Sequence, residues 1–320
     1  KLGIGILFIS HRLEEVISIS DTVTILRDGE AILTIPTAET KLQDIAEMMV
    51  GRKIDQSKVA KSRSSRHIED YLEIKDLCVD MPGEHVKNAN LKVKRGEILG
   101  IGGLAGHGKL GVANGIMGLY PSSGTVICDG KNIPLNNAQA ALDAGLVFLS
   151  EDRRGVGLLI DESIENNIAL ASMVSKGKFI RKIGPIPILD KKAIREHANE
   201  MISLLEIRCT GPNQNVSRLS GGNQQKVCVA RAITMEPQAL LVAEPTRGID
   251  IGAKERVLDM IKELNKEGIT VIMISSELQE LRTMCDRIAI MYEGKISGIL
   301  GPDASDAEFG FAMAGKGGGS

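Results

Sequence analysis

Short, mainly apolar runs recur along this chain, separated by stretches whose apolar residues return every three or four positions. Residues 98–101, 146–149 and 239–242 are such runs, and 270–274 and 287–291 are others, opened by Thr270 and Arg287. An apolar run without alternation predicts a strand buried on both faces, as in a parallel sheet. Residues 138–144, 163–173, 191–205, 225–233, 253–266 and 277–284 carry the helical period. Residues 71–79, 89–93 and 125–128 read as further strands, the last closed by an Asp129-Gly130 turn. Strands alternating with helices predict an α/β domain around a parallel core. Residues 163–173, 191–205 and 225–233 are expected to form a helical subdomain.

One part of this pattern is written twice. Residues 1–30 align without a gap on residues 266–295, at an offset of 265. Gly3 falls on Gly268, Ser10 on Ser275, Asp21 on Asp286, Gly29 on Gly294, and His11 on Ser276. Strand, helix, strand and turn repeat in order, with a strand expected over residues 4–9 and a closing helix over 40–50. Such self-similarity signals a duplicated unit. Residues 1–52 are therefore expected to be the tail of a first domain whose body is absent. Residues 53–69, with the basic, Ser-rich QSKVAKSRSSR, read as a linker. Residues 70–314 form the second domain, and 315–320 a flexible Gly-rich tail.

Composition narrows the function classes. A net charge of -2 does not suggest electrostatic binding of nucleic acid. With no Trp, three Tyr and five Phe, the chain lacks a platform for stacking bases. No apolar run reaches the ~18 residues of a membrane span, so a membrane role must work through a partner. The five scattered cysteines never form C-x-x-C and read as reduced thiols. His107 and His197 have no partners at metal-ligand spacing, and no zinc is expected.

Chemistry concentrates in a few motifs. Gly103-x-x-x-x-Gly108-Lys109, with Gly106 inside it, follows a strand and opens a helix. That is the context of a phosphate loop, whose backbone N–H groups face phosphates while the Lys bridges them. Ser220-Gly221-Gly222 precedes the helix of residues 225–233. A Ser N-cap before free N–H groups makes an anion site, although an ordinary capped helix looks the same. The strand of residues 239–242 then runs through Ala243 to Glu244-Pro245-Thr246, followed by Arg247-Gly248-Ile249-Asp250.

This order resembles the ABC ATPases: signature loop, Walker B strand, D-loop. The run LSGGNQQK, EPTRGIDIGAK from Glu244 and SEDRRGVGLL from Ser150 are similar to ATP-binding subunits of bacterial importers for simple sugars. The resemblance covers nearly the whole chain. It implies the ABC nucleotide-binding fold, a P-loop NTPase with a parallel core sheet, an antiparallel β subdomain and a helical subdomain. It implies ATP with Mg²⁺ as ligand, and ATPase activity in the full-length pair. It also implies membrane permease partners, an external solute-binding protein, the first ABC domain of the same chain, and a place on the cytoplasmic face of the membrane.

The departures from that pattern matter. The position after Lys109 would carry a Mg²⁺-binding hydroxyl and is Leu110; the Walker B acid is replaced by Ala243. The Q-loop position is Glu151, and the switch His is Ser276. Glu244 remains as the expected general base, and Asp250 marks the D-loop. Met81-Pro82 offers no aromatic for adenine. The expectation is a degenerate site of weak Mg²⁺ binding, inactive in this chain alone. Head-to-tail pairing would bring Ser220, Gly221 and Gly222, with His11, to the site of the other domain's P-loop. The rival reading is a soluble tandem-ABC factor on ribosomes or DNA, which would keep both P-loops intact and carry basic extensions.

Overall fold

The computed structural model describes residues 4–10, 13–27, 30–41, 44–45, 48, 69–183 and 186–316. The chain divides into two compact units, one of residues 1–62 with 248–256, the other of 63–247 with 257–320.

In the smaller unit, helix α1 (Leu13–Ile19) precedes an antiparallel hairpin of β1 (Thr22–Arg27) and β2 (Glu30–Pro36). Leu13, Val23, Ile25 and Ile45 form its small core, with Val16, Ile17 and Met48 packed against them. The strand expected over residues 4–9 is not formed; Ile4, Ile6, Leu7 and Ile9 are exposed. A buried parallel strand needs neighbours on both sides, and the hairpin provides none. Of the helix expected over 40–50, Asp44, Ile45 and Met48 are helical. Nearly all of the expected linker, and residues 317–320 of the expected tail, lie outside the described residues.

The larger unit begins with strands β3 (Asp70–Val79) and β4 (Val86–Lys94). Strand β5 (Ile98–Gly103) leads into helix α2 (Lys109–Ile116), which is followed by Gly118 at φ 69. Strands β6 (Ser122–Cys128) and β7 (Lys131–Ile133) are joined by Asp129-Gly130, both at positive φ as a two-residue hairpin requires. Helix α3 (Ala138–Asp143) precedes β8 (Leu146–Leu149).

The next elements are α4 (Ile164–Lys176), a hairpin of β9 (Ile180–Ile183) and β10 (Ile186–Leu189), α5 (Lys191–Leu204) and α6 (Gly221–Thr234). Helix α4 packs on both α5 and α6, forming the expected helical subdomain. The hairpin within it was not expected; its residues are largely exposed and carry no alternation to read. Strand β11 (Ala239–Ala243), helix α7 (Ile251–Lys266), β12 (Thr270–Ile274), α8 (Leu278–Met284), β13 (Arg287–Tyr292), β14 (Lys295–Leu300) and α9 (Asp306–Met313) complete the chain.

The main sheet runs β14-β13-β5-β12-β11-β8, parallel except for β14. Every residue of β5, β11 and β12 is buried, which is why their sequences are apolar but for Thr270, whose hydroxyl accepts from Gly96 N at 2.9 Å. The second sheet, β4-β3-β6-β7, is antiparallel. Helix α2 packs against β3, β4, β5 and β11, so it touches strands of both sheets. Among the described residues no helix is long and apolar enough to cross a membrane.

The internal repeat holds in three dimensions. At the same offset, α1 coincides with α8, β1 with β13, and the start of β2 with that of β14. The register shift between Ile25 and Leu26 recurs between Ile290 and Met291.

Candidate functional site

Strand β5 delivers the chain into the glycine loop that opens α2. Gly103, Gly106 and Gly108 have φ of 144, 80 and 94, a region that side chains disfavour. The loop therefore turns several N–H groups inward, as the motif predicts. They meet a carboxylate of this chain. Glu84 accepts hydrogen bonds from Gly106 N at 2.9 Å on Oε1, and from Gly108 N at 3.0 Å and Leu110 N at 3.2 Å on Oε2. Glu84 itself is buried. Lys109 is buried too, and its Nζ donates to Gly103 O at 3.4 Å. The expected partner of these groups was a phosphate.

Local sequence explains how Glu84 arrives there. Glu84 N donates to Met81 O at 3.0 Å, with Pro82 and Gly83 between them and Gly83 at φ 78. Pro then Gly at the two central positions is the signature of a type II turn. Asp80 N to Pro121 O (2.9 Å) and Lys87 N to Gly294 O (2.6 Å) anchor the connection on either side.

The two positions that would hold a cation are apolar and committed to packing. Ala243 is buried in the main core, and Leu110 packs against that core. Glu244 follows at φ 45, with its N–H bonded to Ile274 O at 2.8 Å. Ser276 donates its hydroxyl to Glu244 Oε1 at 2.5 Å, so the structure brings the expected base and the switch position together. Behind them, Glu280 joins the two loops. Its Oε1 accepts from Thr246 Oγ1 at 2.5 Å and its Oε2 from Ser275 Oγ at 2.9 Å.

Glu151 accepts from the Ser150 hydroxyl at 3.2 Å at the end of β8. The turn of Arg153–Gly157 follows and leans on the signature helix, where Cys228 Sγ lies 3.9 Å from Gly157 O. Burial lowers the pKa of Arg153 and Arg231 and pushes the Cys228 thiol up to about 11. Ser220 caps α6, accepting from Asn223 N, and Asn223 Oδ1 in turn accepts from Arg208 N at 2.9 Å. Among the described residues no hydrogen bond is made by the N–H of Gly221 or Gly222, and none joins this signature to the glycine loop. Asp250 Oδ1 accepts from Ala253 N at 2.9 Å within the smaller unit. His11 lies outside the described residues.

The profile of the ABC transporter family matches residues 86–247, about half of the chain and the stretch from β4 to the end of the Walker B loop. The chain belongs to the ABC transporter family. A ribose import ATP-binding protein of Lactococcus lactis is 40% identical over 299 residues, which are 93% of this chain and 58% of that protein. Another of that name, from Bacillus cereus, is 36% identical over 321 residues, 98% of this chain and 61% of that one. The chain thus spans about three fifths of the length of these curated relatives. Among solved structures, a dimeric ATP-binding cassette in a post-hydrolysis state with ADP and Pi superposes with a TM-score of 0.60 at 24% identity. It covers 73% of this chain and 100% of that one. The α/β architecture, with its parallel core, antiparallel sheet and helical subdomain, is that of an ABC nucleotide-binding domain.

Two residues of this candidate site escaped the sequence reading. Glu280 reads as one more polar position of an amphipathic helix. Glu84 had a local signal, the Met81-Pro82-Gly83-Glu84 turn, but a turn motif does not say what its last side chain will meet.

Proposed function

We propose that the chain is part of an ATP-binding subunit that energises import of a simple sugar of the ribose type. Its residues 1–52 close a first nucleotide-binding domain, and 70–314 form the second. The relatives named as ribose importers support the substrate class, because they match over nearly the whole chain. The repeat of α1, β1 and β2 in α8, β13 and β14 supports the tandem arrangement. In this reading the subunit sits on the cytoplasmic face of the membrane. It drives permease subunits fed by an external solute-binding protein.

The observation that carries the proposal is a contrast between two anion-binding loops. The glycine loop has its N–H groups filled by Glu84, whereas Gly221 and Gly222 keep theirs open. The open loop is the one that serves a partner's ATP. Ser220, Gly221 and Gly222 would complete the composite site built on the first domain's P-loop, with His11 at its γ-phosphate. The chain's own site is degenerate. The side chains of Leu110 and Ala243 offer no oxygen to Mg²⁺, so they do not fit that ion. Glu244, held by Ser276, keeps the place of a general base without the cation that would make hydrolysis efficient. Alone, the chain hydrolyses little ATP.

Transport assays on the full-length pair test this at matched expression. Gly221→Asp puts a carboxylate where the partner's γ-phosphate docks, and loss of such a donor set costs about 10²- to 10³-fold in rate. Lys109→Ala acts on a site that is already impaired and should leave a measurable fraction of transport. Equal loss in both variants would show the second P-loop to be an equal partner and overturn the asymmetry.

A further inference from the structure

We infer that Glu84 is a built-in competitor for the phosphate position of this chain's own glycine loop. Nucleotide then enters only when the turn of residues 81–84 withdraws. The inference rests on reading residues 103–109 as a nucleotide site.

The contact has the form of a ligand complex. Both carboxylate oxygens are used, by three N–H groups of one loop, at 2.9 to 3.2 Å. Backbone donors gathered around one anion at a helix start are the arrangement that binds phosphate. A buried carboxylate is tolerated only where hydrogen bonds satisfy it. Here the loop satisfies Glu84, and Glu84 satisfies the loop. A phosphate cannot share these donors, because it needs the same N–H directions and carries the same sign of charge.

The surrounding backbone is fitted to this closure. A Cβ on Gly111 would stand 2.1 Å from Glu84 O, and one on Gly108 would stand 2.5 Å from His85 O. Only glycine at both positions lets the turn lie backbone to backbone on the loop and the first turn of α2. Gly111 lies inside the helix, where glycine is otherwise a poor choice, so its value lies in this approach. The turn is also stiff, with Pro82 fixing one torsion and Gly83 taking the positive φ. Glu84 is thus presented to the loop and does not reach it by chance of a long flexible side chain.

The consequence is a reduced apparent affinity, equal to the intrinsic one scaled by the fraction of molecules with the turn withdrawn. A closed state favoured by about ten to one weakens binding about ten-fold. Whatever moves the connection between β3 and β4 then sets the occupancy of this site.

Calorimetric titration of the chain with ATP tests the inference in wild type, Glu84→Gln and Glu84→Ala, each with and without Lys109→Ala. Gln keeps the size of the side chain and removes its charge; Ala removes the side chain and gives an independent variant should one fail to melt cooperatively. Expected is a gain of about ten-fold or more in ATP affinity in both variants, abolished by Lys109→Ala. Equal affinity in wild type and both variants, weakened by Lys109→Ala throughout, overturns the role of Glu84 and leaves the P-loop reading standing. Absence of binding in all three likewise overturns the role of Glu84. A gain that ignores Lys109→Ala places the ATP elsewhere and overturns the P-loop reading itself.

Discussion

Replacing Glu280 with Ala should loosen the loops that carry Glu244 and Ser276, and the structure sets the size of the effect. Glu280 is 4% exposed, and its carboxylate accepts from Thr246 Oγ1 at 2.5 Å and from Ser275 Oγ at 2.9 Å. Both hydroxyls are themselves buried. Each hydrogen bond to a charged group contributes about 1.5–3 kcal/mol, so losing two costs about 3–6 kcal/mol. Removing the carboxylate also removes its own burial penalty, which returns part of that sum and leaves about 2–4 kcal/mol. In a body of this size each kcal/mol moves the melting temperature by roughly 2–4 °C, which gives a drop of about 4–16 °C. Glu280→Gln keeps one acceptor and should lose less. Thermal and urea unfolding followed by circular dichroism measure these shifts. A cycle of Glu280→Ala with Thr246→Val separates the direct contact, with an expected coupling of about 1–2 kcal/mol. A coupling near zero, or a Glu280→Ala protein as stable as wild type, would refute the clamp.

The thiols and the acid limb give two more tests. Burial pushes Cys228 up to about 11, so only about one molecule in a thousand carries its thiolate at pH 8. Iodoacetamide should label the partly exposed Cys78 and Cys209 first, and Cys128, Cys228 and Cys285 only in urea; mass spectrometry showing early labelling of Cys228 would contradict this. Asp190 is held below the usual carboxylate range by the N–H of Ala193 at the start of α5 and by the Arg181 guanidinium. Its contribution is therefore present above its unfolded pKa and lost as pH falls through the lower folded value, so Asp190→Asn should flatten the decline of melting temperature below about pH 4.

The parallel core was legible in the sequence because burial on both faces leaves no choice of residue type. Residues 239–242 are apolar throughout and 270–274 apolar after Thr270, and both are buried strands. Ser220 announced a helix start because the N–H groups behind it need an acceptor, and it serves as an N-cap. Residues 4–9 misled for the same reason that the core was readable: an apolar run states a preference for burial but not whether neighbours exist to provide it. The β9–β10 hairpin and the edge strand β14 were invisible because half-exposed residues such as Arg181, Lys182, Ser297 and Gly298 carry little period. Within the candidate site, motif spacing singled out the glycine loop, cap chemistry singled out Ser220, and the family resemblance singled out Glu244. Spacing could not reveal Glu84 or Glu280, whose roles depend on contacts between distant loops.

Glu84, Leu110, Gly111 and Ala243 make physical sense as one set. A P-loop holds a polyphosphate because a cation and a Lys offset its charge. Leu110 and Ala243 give both cation positions to the core, so a phosphate here would be poorly compensated. The loop's inward N–H groups remain, and buried donors without an acceptor are costly. A carboxylate from the chain answers that need, and it can come close only because position 111 lacks a Cβ. On the proposed reading of residues 103–109 as a degenerate nucleotide site, the missing cation ligands favour the internal anion, and the internal anion makes replacing those ligands alone insufficient. Restoring Ser at 110 and Asp at 243 should leave ATP binding weak until Glu84 is also removed. The signature loop faces no such constraint. Among the described residues no carboxylate reaches the N–H of Gly221 or Gly222, which is the openness that the proposed docking of a partner's phosphate requires.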